Sequence, residues 1–193
     1  MHKDEYPPLF GKGFHSLTFE RLYAECVLAF PGSVRRPEIM AGFEVIVEQM
    51  SRVGIEGDIW IDGSFLTTKM EPDDIDLLLV IAEHHIGSLS RDQHDFVEWI
   101  QSSDRDPKLS LLCDPDLVFR LPSELEWYDH HCGSILRHYE HIYGRSVVAG
   151  EPKGIVVLSV TKSLPPPRTL STPASTGLEP DLTQTKSESK GKE

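Results

Sequence analysis

The chain has 193 residues, 31 acidic against 19 Lys and Arg, a formal net charge of −12 and a hydrophobic fraction of 39%. That length suits one domain with a core of its own, and the acid excess argues against broad electrostatic capture of DNA or RNA, which needs a basic face. No apolar run approaches the ~20 residues of a membrane helix, and the N-terminus lacks the apolar segment of a secretory signal, so a cytoplasmic location is expected.

Residues 1–15 hold two prolines and two glycines and read as an extended leader on the domain surface. Two N-terminal helices are expected across 16–53. Ser16 is the candidate cap of the first, with Leu17, Tyr23, Cys26, Val27 and Phe30 at partly helical spacing. Ser33 can cap the second, whose Ile39, Phe43, Ile46, Val47, Met50 and Val53 recur at three- and four-residue steps, and Gly54 is placed to stop it. Arg35 and Arg36 fall in its first turn, against the helix dipole. They read either as solvated or as holding a phosphate or an acid.

The most informative stretch is 60–81, WIDGSFLTTKMEPDDIDLLLVI. Its apolar runs at 59–61 and 75–81 read as adjacent strands joined by a Gly63-Ser64 turn and a polar spacer. In an extended strand Asp74 and Asp76 share one face, about 6–7 Å apart, while Ile75 points away. Two such carboxylates repel, and a divalent cation shared with substrate phosphates removes that cost. Gly63 lets the backbone approach a ligand and Ser64 can donate to a phosphate oxygen. The ordinary alternative for EPDDID is a polar turn entering a buried strand. Asp62 and Asp73 read as turn or supporting residues.

The order of hydrophobic strand, Gly-Ser, nine-residue spacer, Asp-Ile-Asp and Leu-Leu-Leu-Val resembles the polymerase-beta-like nucleotidyltransferase superfamily, and more closely a bacterial group of small proteins with that core. The resemblance covers roughly residues 5–162 and is most specific at 63–76. It implies an α/β (α+β) fold, a small mixed sheet with helices packed on it. It also implies transfer of a nucleoside monophosphate from an NTP to a hydroxyl of a protein or small molecule. Asp74 and Asp76 would bind two Mg²⁺ ions, with Mn²⁺ as a substitute, and Gly63 and Ser64 would hold the terminal phosphates. Lys69 could reach a phosphate, though a solvated lysine fits its place equally well. A third carboxylate, metal ligand and base, is expected on a neighbouring strand: Asp116, with Asp114 as the alternative. A catalytically silent binding or regulatory module, as in a toxin–antitoxin or defence pair, is the rival expectation. The partners implied are a nucleotide and a partner protein, with nucleic acid not favoured.

Beyond the motif, Glu83-His84-His85 ends the second strand, and adjacent histidines on a strand face opposite ways, a poor metal pair. Ser90 can cap a helix reaching Gln101, with Phe96, Val97 and Ile100 inward. KLSLLCDPDLVFRLP reads as one interrupted strand or two short ones, because Pro115 cannot donate to a sheet ladder. Ser123 and Glu126 are spaced as a capping box for a further helix, with Gly144 at its end. His130, His131, Cys132, His138 and His141 complete no tetrahedral set, and three cysteines without CxxC spacing suit reduced, packed thiols better than zinc or disulfides. The segment 155–160 suits a closing strand that completes a core spanning 57–162. From 163 to 193 the chain has almost no core formers and is expected to be a disordered tail.

Overall fold

The computed structural model describes residues 6–102, 112–126, 128–143 and 152–161. In chain order its elements are β1 (Gly13–Ser16), α1 (Phe19–Tyr23) continuing into a π-turn (Ala24–Leu28), α2 (Arg35–Arg52) and β2 (Gly57–Asp62). A 3₁₀ turn (Ser64–Leu66), β3 (Ile75–Ile81), a second 3₁₀ turn (Glu83–His85), α3 (Arg91–Gln101) and β4 (Cys113–Phe119) follow. A second π-turn (Asp129–Gly133), α4 (Ser134–Tyr143) and β5 (Gly154–Val160) close the described fold. The strands form one mixed sheet in the order β1-β5-β2-β3-β4. The two outer pairs are parallel, while β5–β2 and β2–β3 are antiparallel. This is the α+β architecture expected from the sequence.

Why these segments take these places follows from their patterning. After Asp76 the run 77–81 is apolar at every position, so β3 can bury both of its faces. One face, with Ile59, Ile61, Leu77, Leu79, Val156 and Leu158, packs under α1, α2 and α3 in the larger core. The other, with Trp60, Leu78, Val80, Val118 and Ile155, meets Leu136, Tyr139 and Tyr143 of α4 in a smaller one. The α2 stripe of Ile39, Phe43, Ile46, Val47 and Met50 is buried, and Gly54 just beyond the helix has φ +70°. Ser90 caps α3 in a capping box with Gln93.

Several local expectations are corrected. The leader is not simply a surface strap: Gly13–Ser16 pairs in parallel with β5, Pro8 bridges to Thr67, and Phe10 is buried. Thr18, not Ser16, caps α1, its hydroxyl accepting the Arg21 N–H. β4 is continuous through Pro115, because an edge strand needs no donor on its open side. Ser123 and Glu126 open no helix; the Ser123 hydroxyl donates to Glu124 at 3.3 Å, and α4 begins at Ser134. His84 and His85 sit in a 3₁₀ turn with their rings 4.2 Å apart, and His85 is buried. The loop at 103–107, the stop at Gly144 and the tail at 163–193 lie outside the described residues. Among those described, no helix is long and apolar enough to cross a membrane.

Candidate functional site

Register decides which acids meet. Asp62 on β2 stands opposite Asp76 on β3, and Asp76 opposite Asp114 on β4. Directly paired residues put their side chains on the same sheet face, so three carboxylates form a row across three strands. One step further, Trp60 pairs with Leu78 and Leu78 with Asp116, so Asp116 shares the face one rung away from the row. Asp74 lies one residue before β3, half-buried and ahead of the paired ladder. The sheet thus sets Asp114 level with Asp76. Asp116, expected from the sequence as the third acid, stands beside Leu78.

The turn after β2 fits closely against this row. Gly63 has φ +90°, a region that strains any side chain, and a Cβ there would fall 2.5 Å from Asp76 Oδ2. Only glycine lets the chain pass the carboxylate so closely. Ser64 opens the 3₁₀ turn, and its carbonyl accepts the Thr67 hydroxyl at 2.8 Å.

Arg36 fixes the next part of the connector. It is fully buried, and its guanidinium donates to the carbonyls of Cys26, Phe65, Thr67 and Lys69 at 2.6–3.2 Å, with the Phe30 ring 3.7 Å below. Arg35 donates to the Asp73 carbonyl at 3.1 and 3.3 Å. None of the uses foreseen for this pair, solvent, a phosphate or an acid, describes Arg36, whereas Arg35 does pair an acid, Glu38, at 3.5 Å. Lys69 is turned to Asp73, its ammonium 2.6 Å from Oδ2.

Four residues at the acid row carry no motif signal. Lys153, just before β5, sets its ammonium 2.8 Å from Asp62 Oδ1, and both side chains are largely buried. Burial pushes the Asp62 carboxyl up to about 7, against the pull of Lys153 and the Gly63 N–H, and nearby Asp76 adds to the rise. Tyr139 on α4 donates its hydroxyl to Asp116 Oδ2. Its phenol is held above the ordinary range by burial first, then by that bond and by the charges of Asp116 and Asp114. Tyr143, one helical turn on, is raised by burial and by Asp76, Tyr139, Asp62 and Asp116. Alternation from Trp60 would have put Asp62 on this face. Lys153 and the two tyrosines come from elements whose docking no local pattern reveals.

A model of the family of unknown function DUF6932 matches residues 1–159. The chain belongs to that family. Neither the curated proteins nor the solved structures provide a match. In this DUF6932 member the residues level with Asp76 on the two neighbouring strands are both carboxylates, the ligand type that hard cations such as Mg²⁺ take. Among the described residues no three of these acids bring carboxylate oxygens within 4.8 Å of one another, so the row offers Mg²⁺ one or two carboxylates beside a substrate's phosphates, the number it ordinarily takes from protein.

The group that does gather potential ligand atoms within 4.8 Å of one another, among the described residues of this DUF6932 chain, is Glu56, His84 and His85. Its hydrogen bonding opposes metal binding. His85 Nε2 accepts the Glu56 N–H at 2.9 Å, and ligation through Nδ1 would require a proton on Nε2, setting two donors against each other. The histidine ties the 83–85 turn to the start of β2, and His84 pairs with the Glu56 carboxylate at 3.0 Å. A groove of about 420 Å³ between α2 and α3, lined by Val45, Gln49, Arg52, Asp92, Asp95 and Trp99, lies on the other side of the sheet from the acids.

Proposed function

We propose that this protein is a nucleotidyltransferase that moves a nucleoside monophosphate from an NTP to a hydroxyl acceptor. The observation that carries the reading is the row of Asp62, Asp76 and Asp114 beside a glycine turn whose missing Cβ lets the backbone pass close against the Asp76 carboxylate. Asp76 and Asp114, with Asp74 at the mouth, would hold Mg²⁺. When bound, it would offset phosphate charge and draw electron density from the phosphorus under attack.

The chain's own groups would do the rest. Backbone and hydroxyl at Gly63-Ser64 orient the terminal phosphates, and Lys153, not Lys69, supplies the nearby cation. Asp116, steadied by the Tyr139 hydroxyl, takes the proton from the acceptor as a bond forms from the acceptor oxygen to the α-phosphorus. The bond from that phosphorus to the α–β bridging oxygen breaks, and pyrophosphate leaves with the electron pair. Most of the rate gain is positioning and charge stabilisation.

The test separates these roles. Asp76→Asn and Asp114→Asn should remove Mg²⁺-dependent ATP binding in calorimetry, whereas Asp116→Asn should keep binding and lose transfer of label from α-³²P-ATP by about 10²–10⁴-fold. Undiminished transfer by Asp76→Asn would remove the reading. A catalytically silent nucleotide-binding module is favoured by one observation, that Tyr139 already holds Asp116. In that case MgATP binds and no acceptor is ever labelled.

A further inference from the structure

The acid row does not end at β2. Ile61 pairs with Val156 and Val156 with His15, so one step on Ile155 and Phe14 stand level with Asp62 on the same face. The rung across the sheet therefore runs from an aromatic ring on edge strand β1, past Lys153 and Asp62, to Asp76 and Asp114. Phe14 is 48% exposed although its ring meets Trp60 edge-on at 5.0 Å, and Trp60 itself is buried. The ring thus leans inward over β5, towards β2. Its strand is held firmly for so short an edge. The His15 ring donates to the Gly11 carbonyl at 2.7 Å, and the Gly154 N–H donates to the Phe10 carbonyl at 2.9 Å.

We propose that the Phe14–Trp60 pair is a stacking shelf for the base of the nucleotide, an inference that rests on the nucleotide reading above. Charge and shape along the rung argue for this occupant. Carboxylates suited to a cation at one end, an ammonium in the middle and an open aromatic surface at the other end follow the order of metal-bound phosphates, phosphate oxygens and base. A planar base offers a π-face of matching size, and stacking on a ring already braced by a neighbour costs little side-chain entropy. The surface reads the plane and not the hydrogen-bonding edge, so it accepts more than one base.

Calorimetry with two probes, MgATP and magnesium tripolyphosphate, tests the shelf on the full chain, on Phe14→Ala and on Phe14→Tyr. Phe14→Ala is expected to weaken MgATP about 5- to 150-fold, the equivalent of one lost base–aromatic stack. It should leave tripolyphosphate unchanged, and Phe14→Tyr should restore the wild-type value. If both probes bind the wild type and Phe14→Ala alters neither, the shelf falls and the nucleotide reading stands. If Phe14→Ala weakens both probes alike, the ring supports the fold and not the base, and the shelf again falls. If the wild type binds neither probe, the nucleotide reading fails and takes the shelf with it.

Discussion

Two buried side-chain decisions hold the acid row in shape. At Gly63 the backbone sits at φ +90° and a Cβ would come within 2.5 Å of Asp76 Oδ2. Gly63→Ala is therefore expected to cost about 1–3 kcal/mol through strain alone, read as a lower denaturant midpoint at unchanged slope, and to weaken the proposed Mg²⁺ binding by displacing the carboxylate. Arg36 answers four carbonyls, those of Cys26 and Phe65 in buried surroundings and those of Thr67 and Lys69 in partly buried ones. Arg36→Met should destabilise by on the order of 3–5 kcal/mol, and Arg36→Lys should recover only part, since an ammonium cannot reproduce the planar fork. A chemical melt of both variants beside the wild type measures this. Gly63 was legible in the sequence because a glycine between a strand and a polar spacer is a local signal. Arg36 was not: its role depends on carbonyls in two other segments, one of them some thirty residues away along the chain.

At the scale of elements, α2 starts on a carboxylate borrowed from the β2–β3 connector. Glu71 accepts the N–H groups of Val34 and Arg35 at 3.0 and 2.9 Å and the Ser33 hydroxyl at 3.0 Å, while Ser33 itself accepts the Arg36 N–H at 3.1 Å. Those backbone donors, Arg35 first, hold the Glu71 carboxyl below its ordinary range. A group depressed in the folded state adds stability that is present above its unfolded pKa and is lost as pH falls through the folded value. Glu71→Gln should accordingly melt lower than wild type at neutral pH, with the gap closing as the solution is acidified below about pH 4, followed by circular dichroism. A gap independent of pH would mean that shape, not charge, anchors the helix. Sequence spacing found α2, α3, β2 and β3 because their apolar periodicity is internal. It missed β1, four residues long in a Pro- and Gly-rich leader, because that strand exists through its pairing with β5 near the far end of the described chain. The same long-range pairing brings Lys153 to Asp62, and the docking of α4 brings Tyr139 to Asp116.

For the whole molecule, the two faces of the sheet differ in how much holds them. The α1–α3 side joins most of the buried apolar residues into one cluster, whereas α4 rests on a much smaller one. Local opening free energy follows buried contact, so α4 is expected to detach at lower cost than the opposite layer. The three cysteines report on this, since all are buried: Cys26 and Cys113 belong to the larger cluster and Cys132 to the smaller. Burial pushes the Cys26 thiol up to about 12, with Arg36 opposing the rise, so it is unreactive while folded. Under native conditions at mildly alkaline pH, pulsed alkylation with peptide mapping should modify Cys132 first, and Cys26 and Cys113 together and later. In denaturing guanidinium chloride all three should react within one pulse. Because Tyr139 and Tyr143 ride on α4, early reaction at Cys132 would also mean that the cover over Asp116 and Asp76 opens without unfolding the sheet that aligns them. A single common rate for the three thiols would mean the reverse: α4 leaves the acids only when the whole domain comes apart, and the acceptor of the proposed transfer would have to reach Asp116 past a closed helix.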